Sequence, residues 1–245
     1  MVFHVLNRGL GRRVLFTKDE DFLAFERVVE ETLRTRRMRL WAYCLMPNHW
    51  HFVVWPERDG DLPALMQQVT NTHVKRCKEH RHEIGYGHLY QGRYKCFPVE
   101  TEDYLYQVVR YVERNALRAN LVERAESWRW SSLRRVERED PAFPILWTWP
   151  LPRPTDWLQI FNQPQTEAEV AALRCCVNRG RPFGDPHWVT DTAEVWWSGL
   201  VFGSRLDPCH DLLEFIGQSG TGSHWPSRDR WRPQIGCVVV GTFPQ

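Results

Sequence analysis

Two histidines one residue apart, His49 and His51, stand in an apolar run that continues through Phe52, Val53, Val54 and Trp55. In an extended strand, side chains two positions apart point to the same face, so this pair presents two imidazoles side by side. That is a metal-ligand arrangement, and burying both rings without a partner costs desolvation free energy. Further along, Tyr111 and Asn115 are four residues apart, the spacing that stacks side chains on one helical face. A hydroxyl and a carboxamide oxygen can thereby converge on one site. Two neutral imidazoles and an amide oxygen suit a divalent ion such as Mg²⁺ or Mn²⁺ and leave coordination positions open for phosphate oxygens. Each residue type also has a plain structural use. A strand histidine is commonly a hydrogen-bonded core or surface residue, and a helical tyrosine is commonly core with a wet hydroxyl, a use that Tyr104 on the same stripe illustrates.

Chemistry of this kind needs elements that bring the residues together. Residues 2–8 read as a strand, followed by the basic turn Gly9-Leu10-Gly11-Arg12-Arg13 and a helix from Asp19 to Arg36 whose buried face is Phe22, Phe25, Val29 and Leu33. Leu40 to Met46 and His49 to Trp55, separated by Pro47-Asn48, read as an antiparallel hairpin. A second helix is expected over Leu62 to His80, a fourth strand over Tyr94 to Val99, and one further helix from Glu102 to Ala119 carrying Tyr104, Val108, Tyr111 and Asn115. The order strand, helix, strand, strand, helix, strand, helix gives an α+β class. Its expected form is a ferredoxin-like split βαββαβ antiparallel sheet with an added catalytic helix. The core is expected over residues 1–140. A proline-rich linker with a short helix over Glu167 to Val177 follows in 141–194, and 195–245 form an irregular extension without sustained period.

Composition narrows the function classes. The 42% hydrophobic and 25% charged content over 245 residues contains no apolar run long enough for a membrane helix, so no membrane association is expected. The opening Val2-Phe3-His4-Val5-Leu6 does not read as a secretory leader, which makes a cytoplasmic, nucleoid-associated location the expectation. Seven cysteines without a Cys-x-x-Cys pair argue for reduced structural thiols over a zinc ribbon or a disulfide framework. The net charge of +2 conceals an asymmetry: residues 1–140 hold 24 Lys and Arg against 20 Asp and Glu, and the remainder hold 8 against 10. This is a mild polyanion signal in the first part of the chain.

Over roughly residues 2–135 the chain resembles the REP-associated tyrosine transposases of the HUH superfamily. The resemblance rests on Asn7-Arg8-Gly9, on Leu45-Met46-Pro47-Asn48-His49-Trp50-His51, on Gln91-Gly92-Arg93-Tyr94-Lys95, and on the run from Tyr111-Val112-Glu113-Arg114-Asn115 to Val122. It implies an HUH endonuclease fold, metal binding by His49 and His51 with Asn115 as third ligand, and Tyr111 as nucleophile. The implied reaction cleaves and rejoins single-stranded DNA through a 5′-phosphotyrosine, at hairpin-forming repeats, in a monomer or homodimer. Ala116 departs from the pattern, since relatives often carry proline after the asparagine. So does the tail: after Glu194 the sequence lacks the family's basic ending, and residues 195–245 read as a disordered or frameshifted segment.

Binding determinants are sought among the basic residues. Arg12, Arg13, Lys75, Arg93 and Lys95, with Arg76 and Lys78, are candidates for contacts to a phosphate backbone, with solvated surface charge as the alternative for each. Trp128, Trp130, Tyr90 and Tyr94 are candidates for stacking on bases. Three other readings compete. One is an HUH relaxase or replication initiator, one a domesticated DNA-binding protein of the same fold that no longer cuts, and one a structural protein with core histidines.

Overall fold

The computed structural model describes residues 1–36, 38–85, 87–101, 103–138 and 146–199. Four strands, β1 (Val2–Arg8), β2 (Met38–Met46), β3 (His49–Pro56) and β4 (Lys95–Val99), form one sheet in the order β2-β3-β1-β4, with every pair antiparallel. The central β1 pairs with β3 on one side and β4 on the other, which is the split βαββαβ arrangement expected from the sequence.

Two helices cover one face. In α1 (Asp19–Thr35), Asp21 starts the helix by accepting the backbone N–H groups of Thr17 and Lys18 at 2.8 and 3.3 Å. Its stripe of Phe22, Phe25, Val28 and Val29 is buried. In α2 (Asp61–His80) the buried stripe is Leu62, Leu65, Met66, Val69 and His73, and the preceding Gly60 takes the left-handed φ of 85° that a side chain would resist. Between these helices and the sheet lie Phe3, Val5, Tyr43, Leu45, Trp50, Phe52 and Val54. A bulge in β2 between Leu40 and Ala42 switches which parity faces this core, so that Leu40 precedes it and Tyr43 and Leu45 follow it on the same side.

The other face receives α3 (Asp103–Glu113) and the short α4 (Asn115–Arg118). The sequence predicts one continuous helix over this span. Instead the helix is interrupted at Arg114 (φ −81°, ψ 1°), and Asn115 and Arg118 lie on the short turn that follows it.

Both sheet edges are closed. Along β2, Leu45 N–H donates to the Trp130 carbonyl at 2.8 Å and Trp147 N–H to that of Leu40 at 2.8 Å. Ser132, at the start of α5 (Ser132–Glu137), accepts the Tyr43 N–H at 2.9 Å. Beside β4, Phe183 and Glu100 exchange backbone bonds with Pro98 and Phe183 at 2.9 Å. The segment read as a linker with a short helical extension thus carries α6 (Trp157–Asn162), α7 (Glu167–Arg179) and α8 (Pro186–Gly199), and α7 packs on α3 and β4. In α7, Thr166 and Glu169 cap each other's backbone N–H groups and Gly180 ends the helix at φ 68°. α8 runs past the boundary drawn at residue 195, and the rest of the tail expectation, residues 200–245, lies outside the described residues. Among the described residues no helix is long and apolar enough to cross a membrane.

Candidate active site on the α3 face of the sheet

Strand alternation divides β3 in two. Trp50 and Phe52 enter the α1/α2 core, so His49 and His51 project from the opposite face toward α3. Their ring centroids lie 5.0 Å apart with planes at 83°. The Tyr111 ring approaches His51 edge-on at 6.1 Å, and Asn115 Nδ2 lies 3.2 Å from His49 Nε2. The fold therefore brings together the four residues that sequence spacing singled out from two distant segments.

The hydrogen bonds fix more detail. His49 Nδ1 lies 2.6 Å from Asn48 Oδ1, which only accepts, so Nδ1 carries the proton and the Nε2 lone pair faces Asn115. His51 Nδ1 lies 2.8 Å from Nε2 of His4, a fully buried histidine on β1. Arg118 closes the other side. Its guanidinium donates to Asn115 Oδ1 at 3.0 Å and to the Tyr111 carbonyl at 3.3 Å, and stands 4.1 Å from the centre of the Tyr111 ring. Neither His4 nor Arg118 is among the residues singled out from the sequence. For His4 the signal was a lone imidazole in the apolar Val2–Leu6 run; for Arg118, a basic residue one turn after Asn115.

All three imidazoles are held neutral. Burial, aided by the Arg118 charge, pushes His4 down to about 3. Burial with Arg8 and Arg118 nearby pushes His49 down to about 4. Burial, then the neighbouring His4 and His49, holds His51 well below its ordinary value. Neutral imidazoles are the form a metal ion requires. The donor set fits a divalent ion through His49 and His51, with one reservation about the third ligand. Asn115 presents Nδ2 to His49 while its oxygen is engaged by Arg118, so ligation through that oxygen requires the carboxamide to turn over. Among the described residues no group of three or more His, Cys, Asp or Glu could hold a metal ion, so a site here needs Asn115 beside the two histidines.

Glu113 sits at the α3–α4 break with no exposure. Its Oε1 accepts the Ser132 hydroxyl, Oε2 has no hydrogen-bond partner among the described residues, and burial pushes its carboxyl up to about 7. It ties the end of the tyrosine helix to the strip lining β2. The neighbouring tyrosines lead elsewhere: Tyr106 donates to the Pro152 carbonyl at 2.6 Å, and Tyr104 meets Phe183 edge-on at 5.4 Å.

The basic candidates are not gathered around this cluster. Lys95 is the nearest by register, because His51, Leu6 and Lys95 form one row across β3, β1 and β4, and it is exposed. Arg12 is exposed in the turn after β1 at φ 64°, and Arg13 is paired with Glu83. Lys75 is exposed on α2, Arg76 pairs with Glu31 at 2.7 Å, and Lys78 donates to the Gly87 carbonyl at 2.6 Å. Arg93 is exposed and lines an open cavity of about 1260 Å³ beside α2, together with Tyr94, Asn71 and Gln67.

Of the stacking candidates, three serve the core. Tyr90 accepts from Trp50 Nε1 at 3.1 Å, and its hydroxyl lies 2.6 Å from His73 Nδ1. Trp130 stacks on Phe22 at 4.8 Å, and Trp128 donates to the Leu45 carbonyl at 2.8 Å. Tyr94 is half-buried.

Residues 1–115 match the transposase IS200-like family. No curated protein sequence matches the chain. Among solved structures, one of a REP-associated tyrosine transposase bound to a REP hairpin is 15% identical with a TM-score of 0.49, covering 60% of this chain and 85% of that one. A candidate transposase from Deinococcus radiodurans R1 is 15% identical with a TM-score of 0.36, covering 46% of this chain and 89% of its own.

Proposed function

We propose that the chain is a single-strand DNA transposase and endonuclease with Tyr111 as its nucleophile, a reading supported by the match of residues 1–115 to the transposase IS200-like family. The observation that carries this reading is the convergence of Tyr111 and Asn115 on the two neutral histidines of β3. In the proposed reaction the Tyr111 oxygen attacks a backbone phosphorus, the phenol proton leaves, and the bond from phosphorus to the 3′ oxygen breaks. The products are a 5′-phosphotyrosine and a protonated 3′-hydroxyl. The phosphodiester bond is exchanged and not hydrolysed. A 3′-hydroxyl can therefore reverse the attack and rejoin strands without a high-energy cofactor.

His49, His51 and Asn115 would hold Mg²⁺ or Mn²⁺, which polarises the phosphate and neutralises charge on its oxygens. The remaining work falls to the chain itself. Arg118, stacked against the Tyr111 ring and bonded to its carbonyl, fixes the phenol and places a positive charge beside the attacked phosphate. Val108, Val109 and Val112 are fully buried on α3, which packs on β2, β3 and β4, so the tyrosine is presented from a rigid support. DNA carrying a hairpin beside a single-stranded segment is the proposed substrate, with Lys95 and Arg12 as backbone contacts on exposed positions.

The test is a denaturing gel of the protein incubated with labelled single-stranded hairpin DNA and Mn²⁺. A covalent protein–DNA band is expected from the wild type. Tyr111→Phe should lose it by at least about a thousandfold while still binding the hairpin, because only the attacking oxygen is removed. Persistence of the band in Tyr111→Phe would falsify the nucleophile assignment. Hairpin binding by the wild type without any band would favour a non-cleaving DNA-binding protein.

A further inference from the structure

His4 reaches His51 from the neighbouring strand, and its surroundings restrict what it does there. It has no solvent exposure, its Nε2 lies 2.8 Å from His51 Nδ1, and the two ring planes are 3° apart. Phe97 closes on it edge-on at 4.8 Å and Tyr111 at 6.2 Å. Its other nitrogen, Nδ1, has no hydrogen-bond partner among the described residues. An imidazole buried this way in an apolar strand desolvates two nitrogens and satisfies one, where leucine or phenylalanine would fill the space without that cost. The compensation must lie in the contact with His51.

At 2.8 Å one nitrogen of the pair must donate, because two facing lone pairs repel. If His4 donates, the only proton of neutral His51 sits on Nε2 and blocks that nitrogen from a metal. If His51 donates, its Nε2 lone pair is free, and the unpartnered N–H is displaced onto His4 Nδ1, the atom found without a partner. We propose that His4 is a positioning residue that accepts the Nδ1–H of His51 and so holds His51 in the tautomer with a free Nε2. Its consequence for metal binding rests on the function proposed above, whereas the tautomer belongs to the metal-free protein. Partners that orient a ligating histidine in this way typically govern metal affinity by about 10–100-fold.

The experiment uses the ¹⁵N-labelled full chain without metal, with long-range ¹H–¹⁵N correlations at neutral pH reading the two ring nitrogens of His51. Expected is a protonated Nδ1 and an unprotonated Nε2 in the wild type and in His4→Gln, whose side-chain oxygen still accepts. His4→Leu should move the proton to Nε2. Mn²⁺ affinity, measured by electron paramagnetic resonance, should fall about 10–100-fold in His4→Leu and return to within about threefold in His4→Gln. A wild-type His51 protonated at Nε2, or Mn²⁺ affinity unchanged in His4→Leu, would overturn the inference. If His4→Leu does not fold, the wild-type tautomer and the His4→Gln affinity decide it. A wild type with the expected tautomer and no Mn²⁺ binding sustains the role of His4 and removes the metal reading instead.

Discussion

The two faces of one strand, β3, do opposite jobs. Trp50 and Phe52 enter an apolar core in which Phe25 lies 5.9 and 6.2 Å from their rings, and buried polar groups there are hydrogen-bonded to one another. Trp50 donates to Tyr90, whose hydroxyl is bonded to His73; Glu26 accepts from the Tyr43 hydroxyl at 2.7 Å and from Arg135 at 2.6 Å. On the other face, His49 and His51 stand among polar groups that are only partly satisfied. Among the described residues His4 Nδ1 and Glu113 Oε2 lack hydrogen-bond partners. A face whose polar groups are closed off specifies the fold, and a face that leaves them open is poised for a ligand.

The sharpest way to break this contrast is truncation on each side. Trp50→Ala should cost about 3–5 kcal/mol, since it empties a large, fully buried volume and removes one of the two hydrogen bonds of the Tyr90 hydroxyl. His49→Ala, at a half-buried position, should cost about 1 kcal/mol or less while removing metal binding. Guanidinium melts of both variants measure the difference, and equal losses would end the division of labour.

A smaller effect comes from acid. Burial, then the Arg81 charge, pushes His73 down to about 3, against an unfolded value near 6.5. As pH falls below about 6.5 the unfolded chain takes up a proton that the folded state refuses until about 3, so stability declines through that window. His73→Gln removes this share. Its stability should change less than the wild type's between about pH 7 and pH 4, and an identical change in both would show that His73 is not buried as described.

The smallest expected effect is electrostatic. Lys95 shares the histidine face, and Lys75 does not. Lys95→Ala should weaken single-stranded DNA binding and lower the slope of log affinity against log salt by roughly 0.7, the value for one phosphate contact on a single strand. Lys75→Ala should change that slope less. A larger slope change for Lys75 would move the DNA path to the α2 side, where Arg93 and Tyr94 line the open cavity.

The sequence by itself determined the parity of His49 and His51, because a strand fixes alternation whatever surrounds it. It also determined the order of elements, since apolar periods of two and of three to four switch at residues that the structure uses as boundaries: β1 at Val2–Arg8, α1 from Asp19 and β3 from His49. Tyr111 and Asn115 were legible as a pair from their spacing. Only the tertiary structure decided the rest. The helix interruption at Arg114, next to the buried Glu113–Ser132 bond, is not encoded in any local period. His4 became part of the site through the pairing of β1 with β3, and a strand's register depends on its partner as much as on its own residues. Tyr90, Trp128 and Trp130 were assigned to the core by neighbours far away in the chain, among them Trp50, Leu45 and Phe22, because an aromatic ring stacks equally well on a base or in a core and its surroundings choose.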